Sequence, residues 1–553
     1  MEKPNTLLKQ ISTVLLIFIV ASGLLNSELF YNSTAFAYYA FCSLSFIFTI
    51  TVSFLHTTNK KSLNIKIPLL LFGLWCCYVL VHYFTNTGTL VFTIYCICLY
   101  FLLLKTTTLF SVANFNYTFF FIGIAIIASI ESFYCIGQFF GWVKSQNKLF
   151  SVTGSWNNPN VIAIFLALTT PIFLFLFQSK FKKISLMGFI TLLVALLLLK
   201  CRTALIGTIL SFVVFYGLEH NFIGWVKDKK NRSSAKALLI LSLLFIIPIS
   251  SLLYKVKQDS ADGRKFIWKL SAQMSTEKPL IGYGYGYFEK EYNLYQANYI
   301  KQGKATTEEL TNAGPVIMPH NELLQNAVEG GSIGLLLILL FFGSILLTFR
   351  RSKINQNNLN TETDSHSRNN NFNLAYTGIV SFIAMSMINS TMQIVPVMCL
   401  CIVYTSIICS GLKESRFFVN LVFIPNKTAF SILSKTGILI TSLYLSYLIF
   451  GIASADGENK KAKLLKEAGQ YEQALQIMPN LEPFLKEDPN YWKNYGAIYF
   501  EKHLYREALV CFKKAKMRST LPDIYYGTGI CYERLKQYPE AVSYTHLTLP
   551  TKA

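Results

Sequence analysis

Thirteen runs of mostly apolar residues, each near the length that crosses a bilayer, constrain this chain more than any motif does. They lie at about 10–25, 35–55, 67–84, 88–104, 118–141, 160–178, 184–200, 203–218, 237–254, 332–349, 374–392, 394–411 and 429–451. A helix needs roughly 17–25 residues to span the hydrocarbon layer. Within that layer every backbone polar group must be paired inside the segment or by a closed barrel, so runs of this kind are read as helices. The expected fold is an all-α polytopic membrane protein of about 12–13 transmembrane helices, the short pair flanking 200–202 being the least well defined. The N-terminus carries Lys3 and Lys9 before an apolar run without a small-residue cleavage site, which reads as a retained first helix.

A net charge of +21 would suggest nucleic acid in a soluble chain, but 52% of these residues are hydrophobic and only 14% charged. The cations collect in alternate connectors: Lys60, Lys61 and Lys66; Lys105; Lys180, Lys182 and Lys183; Lys227, Lys229, Lys230, Arg232 and Lys236; Arg350, Arg351 and Lys353; Lys413, Arg416 and Lys427. The other connectors hold few beyond Lys144, Lys148, Lys200 and Arg202. This asymmetry places the N-terminus inside. The polar segment at about 255–331 and the region after the last span then lie outside, which in a bacterium is the periplasmic face of the inner membrane. The twelve cysteines sit mostly within apolar runs and show neither zinc-ligand nor disulfide spacing.

The expected domains are a membrane domain at 1–455, a helical repeat region at 456–542 and a tail at 543–553. Gly496, Tyr499, Tyr505, Glu507 and Ala508 recur 33 residues later as Gly529, Tyr532, Tyr538, Glu540 and Ala541, and Ala474 precedes Ala508 by 34. With Trp492, Phe512 and Ala515 this resembles the tetratricopeptide pattern, whose small residues let paired helices pack closely and form a protein-binding surface. The tail, "SYTHLTLPTKA", lacks the Phe512 and Ala515 equivalents and an apolar stripe, and resembles translated cloning or sequencing adapter, with further repeats expected in a natural chain.

Of seven histidines only His320 falls in the large outer loop, in "PHNELLQNAVEGGSIG". Arg202, in "LLLLKCRTALIG", is wedged between two apolar runs, and Arg264, in "SADGRKFIWKL", opens an amphipathic stretch whose Phe266, Ile267, Trp268 and Leu270 suit a membrane interface. Each arginine alone reads as an interfacial anchor. Two arginines and a histidine on one face suit an anionic headgroup with a base beside it. "PLIGYGYGYF" lacks dinucleotide-loop spacing and reads as a turn with Tyr283 and Tyr285 available for sugar stacking or anchoring. Glu131, within an apolar run, is either a functional carboxylate or a polar packing contact. "GSWNNPNVIA" reads as helix-capping sequence. No compact carboxylate pair of the kind that holds a metal is present; Asp259 and Asp262 alone are poor candidates.

The four stretches "GSWNNPNVIA", "CRTALIG", "DGRKFIW…PLIGYGYGYF" and "PHNELLQNAVEGGSIGLLLIL", in this order on this span pattern, resemble the bacterial O-antigen ligase and O-antigen polymerase family of lipid-linked oligosaccharide glycosyltransferases, over roughly 10–450. Cys201 stands where that family usually has serine. The resemblance implies a glycan donor on undecaprenyl pyrophosphate, an acceptor hydroxyl, inverting transfer, and neither cofactor nor metal. It implies that Arg202 and Arg264 grip the pyrophosphate and His320 is catalytic; on physical grounds Asn321 is expected to orient the imidazole, with Glu322 and Glu329 as weaker candidates. The acceptor stays open among lipid A core, another repeat unit and a protein hydroxyl, with a further protein partner expected on the repeats. A flippase would need charge spread through many spans and a scaffold would leave the outer loop unexplained, so both rank lower.

Overall fold

A computed structural model describes residues 6–55, 62–85, 87–112, 115–220, 222, 258–356, 362–412, 418–423 and 427–548. The expected span at 237–254, and the cations Lys60, Lys61, Lys227, Lys229, Lys230, Arg232, Lys236, Lys413 and Arg416, lie outside the described residues.

The first eight helices are α1 (Thr6–Ser22), α2 (Ala35–Leu55), α3 (Ile67–Phe84), α4 (Leu90–Phe110), α5 (Tyr117–Phe139), α6 (Pro159–Phe177), α7 (Lys182–Leu199) and α8 (Arg202–Glu219). The 258–321 loop contributes α9 (Gln258–Glu277), α10 (Phe288–Lys301) and α11 (Thr307–Asn312); α12 (Glu322–Gln356), α13 (Glu362–Ser386), α14 (Val395–Ser410) and α15 (Lys427–Glu467) return to the bundle. Among the described residues nine helices are long and apolar enough to cross a membrane, while α1 and α14 are shorter apolar helices. α13 begins in polar sequence and turns apolar only from Phe372.

Helices α6 and α14 are buried on nearly every side. This explains why neither shows an amphipathic stripe: a helix surrounded by others needs an apolar surface all round. α5 instead turns Ile126, Ile130 and Phe133 outward, as contact with lipid requires.

The connectors sort into two ends. At one, Asn26 Nδ2 donates to the Ser155 carbonyl, Trp156 Nε1 to Gly23 O at 3.1 Å, and Arg264 Nη1 to Ile388 O at 3.0 Å, while Gly88 bridges to Tyr285. At the other, Lys66 Nζ reaches Cys409 O at 2.6 Å and Gln178 Nε2 reaches Glu219 at 2.6 Å. The second end also departs from the all-α expectation. Strands β1 (Ser62–Lys66) and β2 (Phe418–Phe423) pair antiparallel, with an irregularity between Leu63 and Asn64. The alternating "FVNLVF" of β2 suits a strand as well as a helix.

The stretch around Arg264 corrects the interfacial expectation. Phe266, Leu270 and Met274, one turn apart on α9, are buried against Phe288, Tyr292 and Val328 in a small core of the loop itself. Trp268 Nε1 donates to Pro319 O at 2.8 Å, tying α9 to the residue before His320. The apolar face holds the loop together and so fixes where Arg264 points.

α15 runs unbroken through the expected boundary at 455/456. Beyond it come α16 (Tyr471–Ile477), a 3₁₀ turn, α17 (Glu482–Leu485), α18 (Pro489–Glu501), α19 (Tyr505–Lys516), α20 (Pro522–Arg534) and α21 (Tyr538–Thr548). α21 extends into the segment at 543–553 that resembles translated adapter; 549–553 lie outside the described residues. Gly469, His503 and Lys536 all have positive φ, at the spacing of the sequence repeat, so each helical turn closes on a left-handed residue. Ala474, Ala508 and Ala541 are buried at the equivalent helix contacts.

Candidate functional site

Helix α12 is two helices joined at Gly331, whose φ of 61° and ψ of −162° are far from helical. A break this near the apolar layer has to satisfy the backbone groups it frees, and "PLIGYGYGYF" does so. Tyr283 N donates to Val328 O and Gly284 N to Glu329 O, both at 2.8 Å; Ser332 N donates to Pro279 O at 2.7 Å and Ile333 N to Leu280 O at 3.4 Å. Tyr78 takes the Gly330 carbonyl at 2.9 Å. The glycine repeat is therefore a stitch along a broken helix. At Gly284, with φ +108°, an added Cβ would fall 2.0 Å from the Thr87 carbonyl oxygen. Gly284→Ala should cost about 3 kcal/mol through backbone strain and overpacking, read as an earlier thermal transition of the detergent-solubilised protein.

This loop also corrects the expectation for Tyr285. Its ring is 1% exposed, stacked on Phe92 at 5.7 Å and edge-on to Trp75, Tyr78 and His82, so it presents no face to a sugar. Tyr283 is partly exposed and donates to Glu277 at 3.1 Å. Glu329, also buried, accepts from Gly286 N at 2.9 Å, Phe288 N at 3.3 Å and Gln325 Nε2 at 3.4 Å, and so anchors the same loop. Glu131 accepts from Ser155 N at 3.3 Å and steadies the 154–158 loop.

The half of α12 before the break places His320. Asn321 Oδ1 accepts from Leu323 N at 3.0 Å and Leu324 N at 3.1 Å, a helix cap. It is thus not the group that orients the imidazole. That group is Asn389, in the turn between α13 and α14, whose Oδ1 lies 3.4 Å from His320 Nδ1 and also accepts from Ser390 N at 3.0 Å. Because Oδ1 is an acceptor, Nδ1 carries the hydrogen and Nε2 is left as the base. Glu322, 4% exposed, accepts from the amides of Thr391 and Met392 and locks this turn to α12. His320 itself has φ 53°, a left-handed conformation that side chains adopt at a cost and that gathers at functional positions.

The arginines meet this group. Arg264, whose Nη1 holds the Ile388 carbonyl next to Asn389, is near enough to His320 for its charge to act on the ring. Burial lowers the Arg264 pKa, and the nearby Arg202 charge lowers it further. Arg202 is the first residue of α8, so its guanidinium and that helix's N-terminal partial charge add up at the same end. Among the described residues Arg264 forms no ion pair. Arg264 thus has the imidazole on one side and the Arg202 charge near it on the other, a local excess of positive charge that suits an anion. No group of three or more metal-ligating side chains occurs among the described residues.

Burial pushes the His320 pKa below its ordinary 6.5, and the Arg264 charge pushes it further; the Asn389 contact opposes both. A base of lowered pKa stays neutral to lower pH. The acid limb of any reaction that uses it should therefore have its midpoint below pH 6.5, measured as initial rate against pH.

The fold defines a many-helix membrane protein in which Arg264, His320 and Asn389 are grouped in the connectors at one end of the bundle. Residues 187–339, which contain Arg202, Arg264 and His320, match the family model described as O-antigen ligase. An 89-residue stretch is 37% identical to a Rickettsia conorii protein provisionally named a polysaccharide ligase; it covers 16% of this chain and 20% of that protein, so the chain spans about a fifth of the relative it matches.

Proposed function

We propose that this protein transfers a glycan from undecaprenyl pyrophosphate to an acceptor hydroxyl at the periplasmic face of the inner membrane. What supports the reading is that Arg264, bonded to the Ile388 carbonyl, and His320, bonded to the adjacent Asn389, meet at one turn, in a stretch that also holds Arg202 and matches the O-antigen ligase family model.

Arg202 and Arg264 bind the pyrophosphate while its prenyl chain stays in lipid, so the donor arrives already oriented. The acceptor oxygen attacks the anomeric carbon and forms the new glycosidic bond as the carbon–oxygen bond to phosphate breaks. The bonding pair leaves on the pyrophosphate, whose extra negative charge the guanidinium groups stabilise more than they stabilise the donor. The hydroxyl proton passes to His320 Nε2, and attack opposite the leaving group inverts the anomeric centre. None of these steps asks for a metal, so transfer is expected to persist in chelator; a metal requirement would contradict the scheme.

The helical repeats after α15 lie on the same end of the bundle as the site, which favours a role in docking an acceptor or a partner protein. Ligase, polymerase and protein O-oligosaccharyltransferase share this chemistry and differ in acceptor. The test is reconstitution of the purified chain with a lipid-linked oligosaccharide, following release of undecaprenyl pyrophosphate together with a glycosylated product. Absence of both, with donor and acceptor present, would defeat the proposal. Deleting the gene and asking whether lipopolysaccharide, long polymer or glycoprotein loses its glycan identifies the acceptor.

A further inference from the structure

We infer that a second cavity, one to two helical turns beyond His320 along α12, binds a neutral sugar ring and is the subsite for the acceptor's terminal sugar. The word acceptor rests on the transfer function proposed above; the binding itself does not.

The cavity has a volume of ≈ 290 Å³ and is bordered by Tyr38, Phe92, Glu289, Gln325, Glu329 and Gln393. That is the lower end of ordinary small-ligand pockets, about 300–1,000 Å³, which suits one ring rather than a chain. Its place follows from two elements shared with the anion site. Gln325 and Glu329 follow His320 on α12, and Gln393 lies in the turn that offers Asn389 to the imidazole and is locked by Glu322. A ligand here would lie beside the base without entering the arginine pair.

The hydrogen-bond inventory of the walls selects the ligand class. Glu329 is occupied by the two backbone amides and by Gln325 Nε2. That leaves Gln325 Oε1, on a side chain only 3% exposed, without a partner in the protein. A buried carbonyl left unpaired is costly, and a donor supplied by a ligand removes the cost. Tyr38 donates its hydroxyl hydrogen to Val91 O, and Tyr95, which also borders the cavity, donates to Met392 O. The groups left to a ligand are therefore mainly acceptors, beside two carboxylates and the rings of Tyr38 and Phe92. Such a wall takes a molecule that offers O–H or N–H donors and an apolar face, and it repels phosphate.

The C-terminal helices complete the mouth. Glu289 accepts from Thr520 N at 3.0 Å and Thr520 Oγ1 at 2.8 Å, and Glu487 accepts from Leu90 N at 3.0 Å, next to the bordering Thr89. Arg518 donates to the Tyr287 hydroxyl. The repeats thus fix one wall of the pocket, a means by which a partner on them could act on acceptor use.

The test uses the full chain in lipid nanodiscs without donor, with saturation-transfer NMR on glucose, N-acetylglucosamine and glucosamine as probes and glucose 1-phosphate as the anionic control. At least one neutral or amino sugar is expected to bind, the phosphate more weakly. Gln325→Leu should weaken binding about tenfold, with the thermal transition recorded alongside. Phe92→Leu provides a second variant should the first fail to fold. In a transfer assay Gln325→Leu should raise the acceptor KM about tenfold and leave the donor KM unchanged. No sugar binding to the wild type, equal binding by both variants, or preference for the phosphate would overturn the inference. Sugar binding without any glycan transfer would instead defeat the proposed function and leave the pocket standing.

Discussion

Replacing His320 by alanine is expected to cut glycan transfer about 10²–10⁴-fold, the contribution typical of a positioned general base, while the protein remains inserted and folded. The residue is only partly buried, and among the described residues its side chain is held by the 3.4 Å contact to Asn389, so its loss opens no hole in the core. The backbone at φ 53° already strains any side chain. His320→Asn makes the sharper control, because asparagine tolerates the left-handed region as well as histidine does yet supplies no base. Both variants should match wild type in thermal transition and in donor binding and differ from it in turnover. Wild-type turnover in either would remove His320 from the chemistry.

The second large effect is expected at Arg264. Arg264→Ala should lower kcat/KM for the lipid-linked donor about 10²–10³-fold, the range for removing one group that stabilises developing negative charge. Arg264→Lys should recover only part of this, since a point charge replaces a planar fork that can hold two oxygens at once. Arg264 also holds the Ile388 carbonyl beside Asn389, so the alanine variant is expected to loosen the turn that orients the imidazole. A fall in kcat larger than the rise in donor KM is the signature of that double role. Unchanged donor kinetics in the alanine variant would take Arg264 out of the donor site.

Much of this was readable in the residues. Length and apolarity marked the helices, because the bilayer leaves the backbone so few options. Alternation of the spans put Arg202, Arg264 and His320 at one end, and Arg264 lies near enough to each of the other two for its charge to interact with theirs. What the chain order hid were partnerships set by packing. Asn389 lies 69 residues from His320 in a sequence, "MINSTMQ", that reads only as the end of a span, whereas Asn321 beside the histidine looked the better partner until its cap geometry excluded it. Alternating glycine and tyrosine reads as a turn with tyrosines available for sugar stacking or anchoring; its glycines let that turn lie against the break at Gly331, and Tyr285 points inward beside it. The Phe266, Ile267, Trp268 and Leu270 stretch reads as a membrane-interface face, yet Phe266 and Leu270 are buried in the loop, because periodicity cannot distinguish a lipid surface from a neighbouring helix.

The most direct test of the central claim, that one centre joins the arginines to the imidazole, is the pH–rate profile of Arg264→Gln beside that of wild type. In the wild type the Arg264 charge helps hold the His320 pKa down. With that charge gone and burial kept, the acid-limb midpoint should move to higher pH while residual transfer persists. An acid limb at the same pH in both proteins would contradict the account.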